Sequence, residues 1–128
     1  MHTPENLFYS KEHEWVRVEG NKGYIGISDF AQHQLGDIVF VELPELDLEI
    51  NLGESIGVIE SVKAAATLFS PVPGTIIEVN EDLEEAPELL NQDPYHNWIA
   101  VLDLSDSSRL EGLMSAEAYN AYCQTLES

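Results

Sequence analysis

Short runs of β-branched, aliphatic and aromatic residues recur along this chain, and each is cut off within a few residues by glycine, proline, asparagine or aspartate. That punctuation leaves little room for long helices and directs most of the chain into sheet. Residues 12–19, "EHEWVRVE", end in alternation, with Trp15 and Arg17 on one face and Val16 and Val18 on the other. "GNKGYIGI" follows with a Gly-rich turn, so residues 12–27 are predicted to form a hairpin. Further strands are expected at "DIVFVEL", ended by Pro44, at "DLEI", at "ESIGVIES" and "ATLFS", at "GTIIEV" and at "NWIAVLDL". Many short strands with frequent turns fit a mostly β fold, a small sandwich or flattened barrel of two antiparallel sheets.

Helices are expected only at the periphery. "SDFAQHQLG" has Ser28 as a predicted N-cap and Gly36 as its stop. "NEDLEEAPELLNQDP" is predicted to give one or two helical turns broken by proline, and "SDSSRLEGLM" and "SAEAYNAYCQTLE" a helical C-terminal segment over about 105–127, with Ser115 as a cap. The 128 residues suit one domain, with its core over about 8–103. "GDIVFVELPE" at 36–45 echoes "GTIIEVNEDL" at 74–83, which suggests two similar β-units joined near residue 63.

Charge narrows the partners. Five Lys+Arg stand against 24 Asp+Glu, a net charge of -19. Nucleic acid and anionic membranes are poor partners for such a surface, and a basic protein surface is a good one. No apolar run is long enough to span a bilayer. "MHTPENLFYSKEHEW" lacks both the basic start and the apolar core of a signal peptide, so a cytoplasmic protein is expected. The single cysteine, Cys123, excludes an internal disulfide and a cysteine zinc cluster, and lies on the apolar face of the last helix as a buried, inert thiol. "HEWVR" begins like the zinc-hydrolase pattern His-Glu-x-x-His, but position 17 is arginine and His2, His13, His33 and His96 are scattered; no metal site is expected.

Against that acidity, "GVIESVKAAATLFSPVPGTIIEV" places Lys63, one of three lysines, between two strand-like runs. A lysine at a hairpin tip is solvated and protonated, with no apolar burial to free its amine, and Glu60 nearby favours the charged form further. It is a poor nucleophile and a good handle for another enzyme to modify. Ala64, Ala65 and Ala66 are weak strand formers, and their small size makes sense if something must approach that surface.

The segments "SKEHEWVRVEG", "GISDFAQHQLGDIVFVELPE", "GVIESVKAA", "SPVPGTIIEVNEDLEEAPELLNQDPY" and "AEAY", in order from about Phe8 to Tyr122, resemble the H proteins of the glycine cleavage system. The resemblance implies a lipoyl-domain-like fold and a carrier rather than an enzyme. Lipoic acid would be amide-linked to Lys63, taking the charge from -19 to -20, on an arm roughly 14 Å long. Glu60, Ser61, Val62 and Ala64 would form the recognition surface around it.

It implies partners as well. A lipoate ligase or octanoyltransferase would load the lysine. A pyridoxal-phosphate glycine decarboxylase would place an aminomethyl group on the arm, a tetrahydrofolate-dependent aminomethyltransferase would take it off, and a flavin-dependent dihydrolipoamide dehydrogenase would reoxidise the dithiol. A monomer is expected. The loaded arm would fold back into a cleft at the first strand, with its amine held by Glu14. Thr67 stands where the family commonly has an aspartate, which offers the arm a neutral acceptor in place of a charge; Pro73 replaces a small polar residue, "DPYHNW" is short, and "IAVLDL" lacks the family's lysines. These departures leave room for a variant carrier in lipoyl relay or another pathway. A biotinyl carrier is the nearer rival in fold, but its lysine normally sits between methionines, and Met1 and Met114 are far from position 63.

Overall fold

The computed structural model describes residues 3–104, 110 and 112–127. Among these described residues, nine strands form two antiparallel sheets. The larger has six: β1 (Phe8–Tyr9), β2 (Glu14–Glu19), β3 (Lys22–Ile27), β5 (Glu49–Ile50), β8 (Gly74–Val79) and β9 (Ala100–Asp103), in the order β1-β2-β3-β9-β8-β5. The smaller, in the order β4-β6-β7, holds β4 (Ile38–Glu42), β6 (Ser55–Ser61) and β7 (Ala65–Phe69). The two echoing segments thus become β4 and β8, one in each sheet.

Alternation along the strands makes the core. Val16, Ile25 and Ile27 of the larger sheet meet Ile38, Val41, Ile56, Ile59 and Leu68 of the smaller, with Val72, Ile76 and Leu102 completing the layer. Two short helices, α2 (Asp82–Glu85) and α3 (Leu89–Gln92), separated at Pro87, seat Leu83 and Leu90 in the same core.

A second cluster lies on the opposite face of β2. There α4 (Ala116–Glu127) presents Ala116, Tyr119 and Cys123, a stripe at helical spacing, against Leu7, Tyr9, Trp15 and Phe30. Both faces of β2 are therefore covered at its start, and Glu14, Trp15 and Val16 are all buried. Trp15 lies opposite Gly26, where an added Cβ would sit 2.6 Å from the indole ring, so the close approach of ring and backbone requires glycine. Past the covered stretch β2 opens outward: Arg17 stacks over the Tyr24 ring at 4.4 Å and pairs with Glu19.

Helix α1 (Asp29–Leu35) begins and ends as its sequence predicts. The Ser28 hydroxyl accepts from the Ala31 N–H, and Gly36, at φ 76°, closes the helix by donating to the Gln32 carbonyl. Ser115 caps α4 in the same way, accepting from Ala118. Of the helix expected over 105–114, the described part holds only a 3-10 turn at Leu110, and the stretch does not continue as helix to 114. Gly112 has φ 91° and Met114 bridges to Tyr9, pairing as an extra piece of sheet edge; residues 105–109 and 111 lie outside the described residues. No described helix is long and apolar enough to cross a membrane.

Candidate lysine-bearing hairpin and the buried carboxyl

Strands β6 and β7 pair from Ser55↔Phe69 to Glu60↔Ala65, and the chain reverses between them through Val62 and Lys63. Ser61 builds that turn. Its N–H donates to the Ala64 carbonyl at 2.8 Å, and its hydroxyl accepts from the Lys63 and Ala64 N–H groups at 3.2 and 3.1 Å. A serine at this corner therefore satisfies backbone donors that have no strand partner. Lys63 is exposed, as its place at a hairpin tip predicts, and so are Val62, Ala64 and Glu60; Ala66 faces the core. Val62 is 67% exposed, unusually open for a valine.

The tip rests on the corner between α1 and β4. The Val62 N–H donates to the Asp37 carbonyl at 3.0 Å. The Lys63 side chain passes over Gly36, where an added Cβ would stand 2.8 Å from Lys63 Cε. Gly36 thus serves as a floor for the lysine stem as well as a helix stop, a second role that the helix-stop pattern conceals.

At the far end of β7 the Phe69 N–H points away from β6 and donates to Glu14 Oε2 at 3.2 Å. Ser10 Oγ donates to Glu14 Oε1 at 2.6 Å and accepts from the Glu14 N–H. Glu14 is 1% exposed. Burial drives its carboxyl up to about 7, against the two hydrogen bonds that favour the anion, with Glu12 adding a smaller push upward. Near neutral pH it exists in both protonation states.

Thr67 shares a strand face with Ala65 and Phe69, between the lysine tip and the strand end that meets Glu14. Ala65 to Phe69 spans about 13 Å of strand, close to the length of a lipoylated side chain. Sequence reasoning identified Glu14 and Thr67 separately; β7 is the element that relates them. It missed Ser10 and the Phe69 amide as the carboxyl's partners. "SKEHE", with a serine four residues before the glutamate, was the one available signal.

His13, beside Glu14, does not turn toward the end of β7. At φ 70° its ring turns under α4, with Nδ1 2.8 Å from the Tyr119 hydroxyl and the ring 4.7 Å from Phe30, and burial lowers its basicity. Ser28 Oγ lies 2.6 Å from the same hydroxyl. Among the described residues no three His, Cys, Asp or Glu side chains converge as metal ligands.

The platform thus holds Lys63 out at a corner, and the buried carboxyl of Glu14, from β2, meets the far end of β7. Comparison with known proteins specifies the class. Residues 7–126 match the family model described as glycine cleavage H-protein. A glycine cleavage system H protein of Syntrophomonas wolfei is 57% identical over 124 residues, 97% of this chain and 95% of its own. One from Alkaliphilus oremlandii is 58% identical over 124 residues, 97% and 98% of the two chains. The crystal structure of a glycine cleavage system H protein from Mycobacterium marinum superposes with a TM-score of 0.87 at 31% identity, covering 94% of this chain and 98% of that one. The chain belongs to the glycine cleavage H-protein family, whose members are carrier subunits rather than catalysts.

Proposed function

We propose that this protein carries a lipoyl group on Lys63 and shuttles the aminomethyl group of glycine between the enzymes of the glycine cleavage system in the cytoplasm. The observation that supports this most is the Lys63 hairpin itself: an exposed amine on a turn braced by Ser61 and tied to the Asp37 carbonyl. Glu60, Val62 and Ala64 flank it as the surface that a lipoate ligase or octanoyltransferase grips.

Bound there, the lipoyl group supplies the dithiolane that accepts and releases the aminomethyl group. The chain's own residues supply position and shelter. The glycine decarboxylase, the aminomethyltransferase and dihydrolipoamide dehydrogenase each meet the same exposed tip in turn. Thr67 of β7 and Glu14 are the residues that would hold the loaded arm, Thr67 as a neutral acceptor and Glu14 as the carboxyl for its cationic amine. A cation there stabilises the Glu14 anion, so docking drives a proton off a carboxyl that burial had raised to about 7.

Intact mass after expression with and without lipoate tests the reading. One added lipoyl mass is expected on wild-type protein and none on Lys63→Arg, which folds normally and supports no glycine cleavage. A wild-type chain that stays unmodified beside an active ligase, or an Arg variant that still supports cleavage, overturns it. An added biotinyl mass would assign the chain to the rival carrier class.

A further inference from the structure

The corner beneath the lysine is held by a residue from a distant part of the chain. Asn91, in the short helix α3, sends its side-chain amide into the α1–β4 junction. Its Nδ2 donates to the Gly36 carbonyl at 2.8 Å and to Gln32 Oε1 at 3.0 Å, and its Oδ1 accepts from the Ile38 N–H at 2.9 Å. One amide thus uses both donors and its acceptor to grip the residues on either side of Asp37. Between those two holds, the Asp37 carbonyl receives the Val62 N–H, and Gly36 carries the Lys63 stem.

Asparagine suits this bracket because it offers two donors and one acceptor at short reach. Aspartate lacks the donors, leucine has the shape and neither function, and glutamine is one methylene too long. Gln32 is buried and orients the amide through its own oxygen, while its Nε2 is held by Asp29 Oδ1 at 2.8 Å.

We infer that Asn91 is a positioning residue for the modified lysine: by bracketing Gly36 and Ile38 it fixes the Asp37 carbonyl that tethers Val62, and so sets the angle at which Lys63 is offered to the enzyme that acylates it. This rests on the proposal that Lys63 is lipoylated, and it adds a residue 28 positions further along the chain to the machinery of that step. A tip free to rock would be bound productively less often, while chemistry, once bound, would be unaltered.

The test uses Asn91→Asp, which keeps the acceptor and loses the donors, and Val62→Pro, which removes the tethering N–H at an exposed turn without touching Asn91. Val62→Ala controls for the lost side chain. In Asn91→Asp, amide exchange at Val62 should quicken about tenfold or more while Ile59 and Ile76 stay within about twofold of wild type. With a lipoate–protein ligase, free lipoate and ATP, KM for the carrier should rise about fivefold or more at unchanged kcat. Val62→Pro should reproduce the KM change, and the double variant should add nothing to it. Unaltered Val62 exchange, equal loosening of Ile59 and Ile76, or additive KM effects would each overturn the inference. If wild-type protein takes no lipoate at all, the lipoylation proposal fails, and the exchange measurement still decides whether Asn91 holds the tip.

Discussion

Glu14 shows how much one side chain's meaning depends on what covers it. In sequence it is a charged residue at the start of a strand, and an exposed position is the ordinary expectation. It is buried because its side chain shares the Val16 face of β2, which looks into the main core, and meets the end of β7 at Phe69, 55 residues later in the chain. No local pattern carries that information. The burial has a measurable consequence. Unfolded, the carboxyl ionises near its ordinary 4.5; folded, it does so only at about 7. Between those values the folded state holds the extra proton, so this group favours folding at acid pH and ceases to as pH rises toward 7. Wild-type stability measured against Glu14→Gln should therefore fall across that window, by no more than about 3.5 kcal/mol at roughly 1.4 kcal/mol per pH unit. Equal pH profiles for the two proteins would refute this. At Thr67 the neutral acceptor predicts a weakly held loaded arm. Thr67→Asp should slow breakdown of the aminomethyl adduct several-fold, read as formaldehyde or ammonia release from the isolated loaded carrier.

Elements were more legible than residues wherever a cap or stop was written beside them. Ser28, Gly36 and Ser115 mark their helix ends because each supplies a hydrogen bond or a backbone geometry that its neighbours lack. The Lys63 hairpin was legible for a similar reason: two apolar runs flanking small residues leave only a reversal between them. What failed was the stretch before α4. Leu110, Leu113 and Met114 carry helical spacing in the sequence, yet Met114 exchanges two backbone hydrogen bonds with Tyr9, at 2.7 and 2.8 Å, and the sheet edge wins over local propensity. Within the hairpin, Ser61→Ala should remove the hydroxyl that satisfies the Lys63 and Ala64 N–H groups. Those groups are exposed to water, so global stability should drop by only about 0.5–1 kcal/mol by chemical denaturation. Lipoylation should suffer more than the fold does. A loss above about 3 kcal/mol would mean that the turn is a folding element first and a display element second.

At the scale of the whole molecule, the two-sheet architecture followed from strand count and alternation, and the echoing segments at residues 36–45 and 74–83 became β4 and β8, strands of different sheets. The echo could not say which sheet each would join, since partner choice depends on packing between residues far apart in sequence. The charge of -19 is a property at this scale too. A tip that several proteins visit, as proposed above, would gain from long-range attraction that acts before any contact forms. Association with a basic partner should slow at least about tenfold between ~0.01 and ~0.15 M salt. An encounter rate indifferent to salt would assign the acidity to solubility alone.

The placement of the lone thiol bears on the chemistry that Lys63 would host. Cys123 is wholly buried beneath α4, against the aromatic rings of the second cluster. A tethered dithiolane that opens and closes with every turnover is a standing threat to any accessible sulfur on the body that carries it, because a thiolate within reach would capture it as a mixed disulfide. Sealing that atom away would leave such a ring with no thiol partner on its own scaffold, so the electron pairs it gained would have to leave for a separate acceptor.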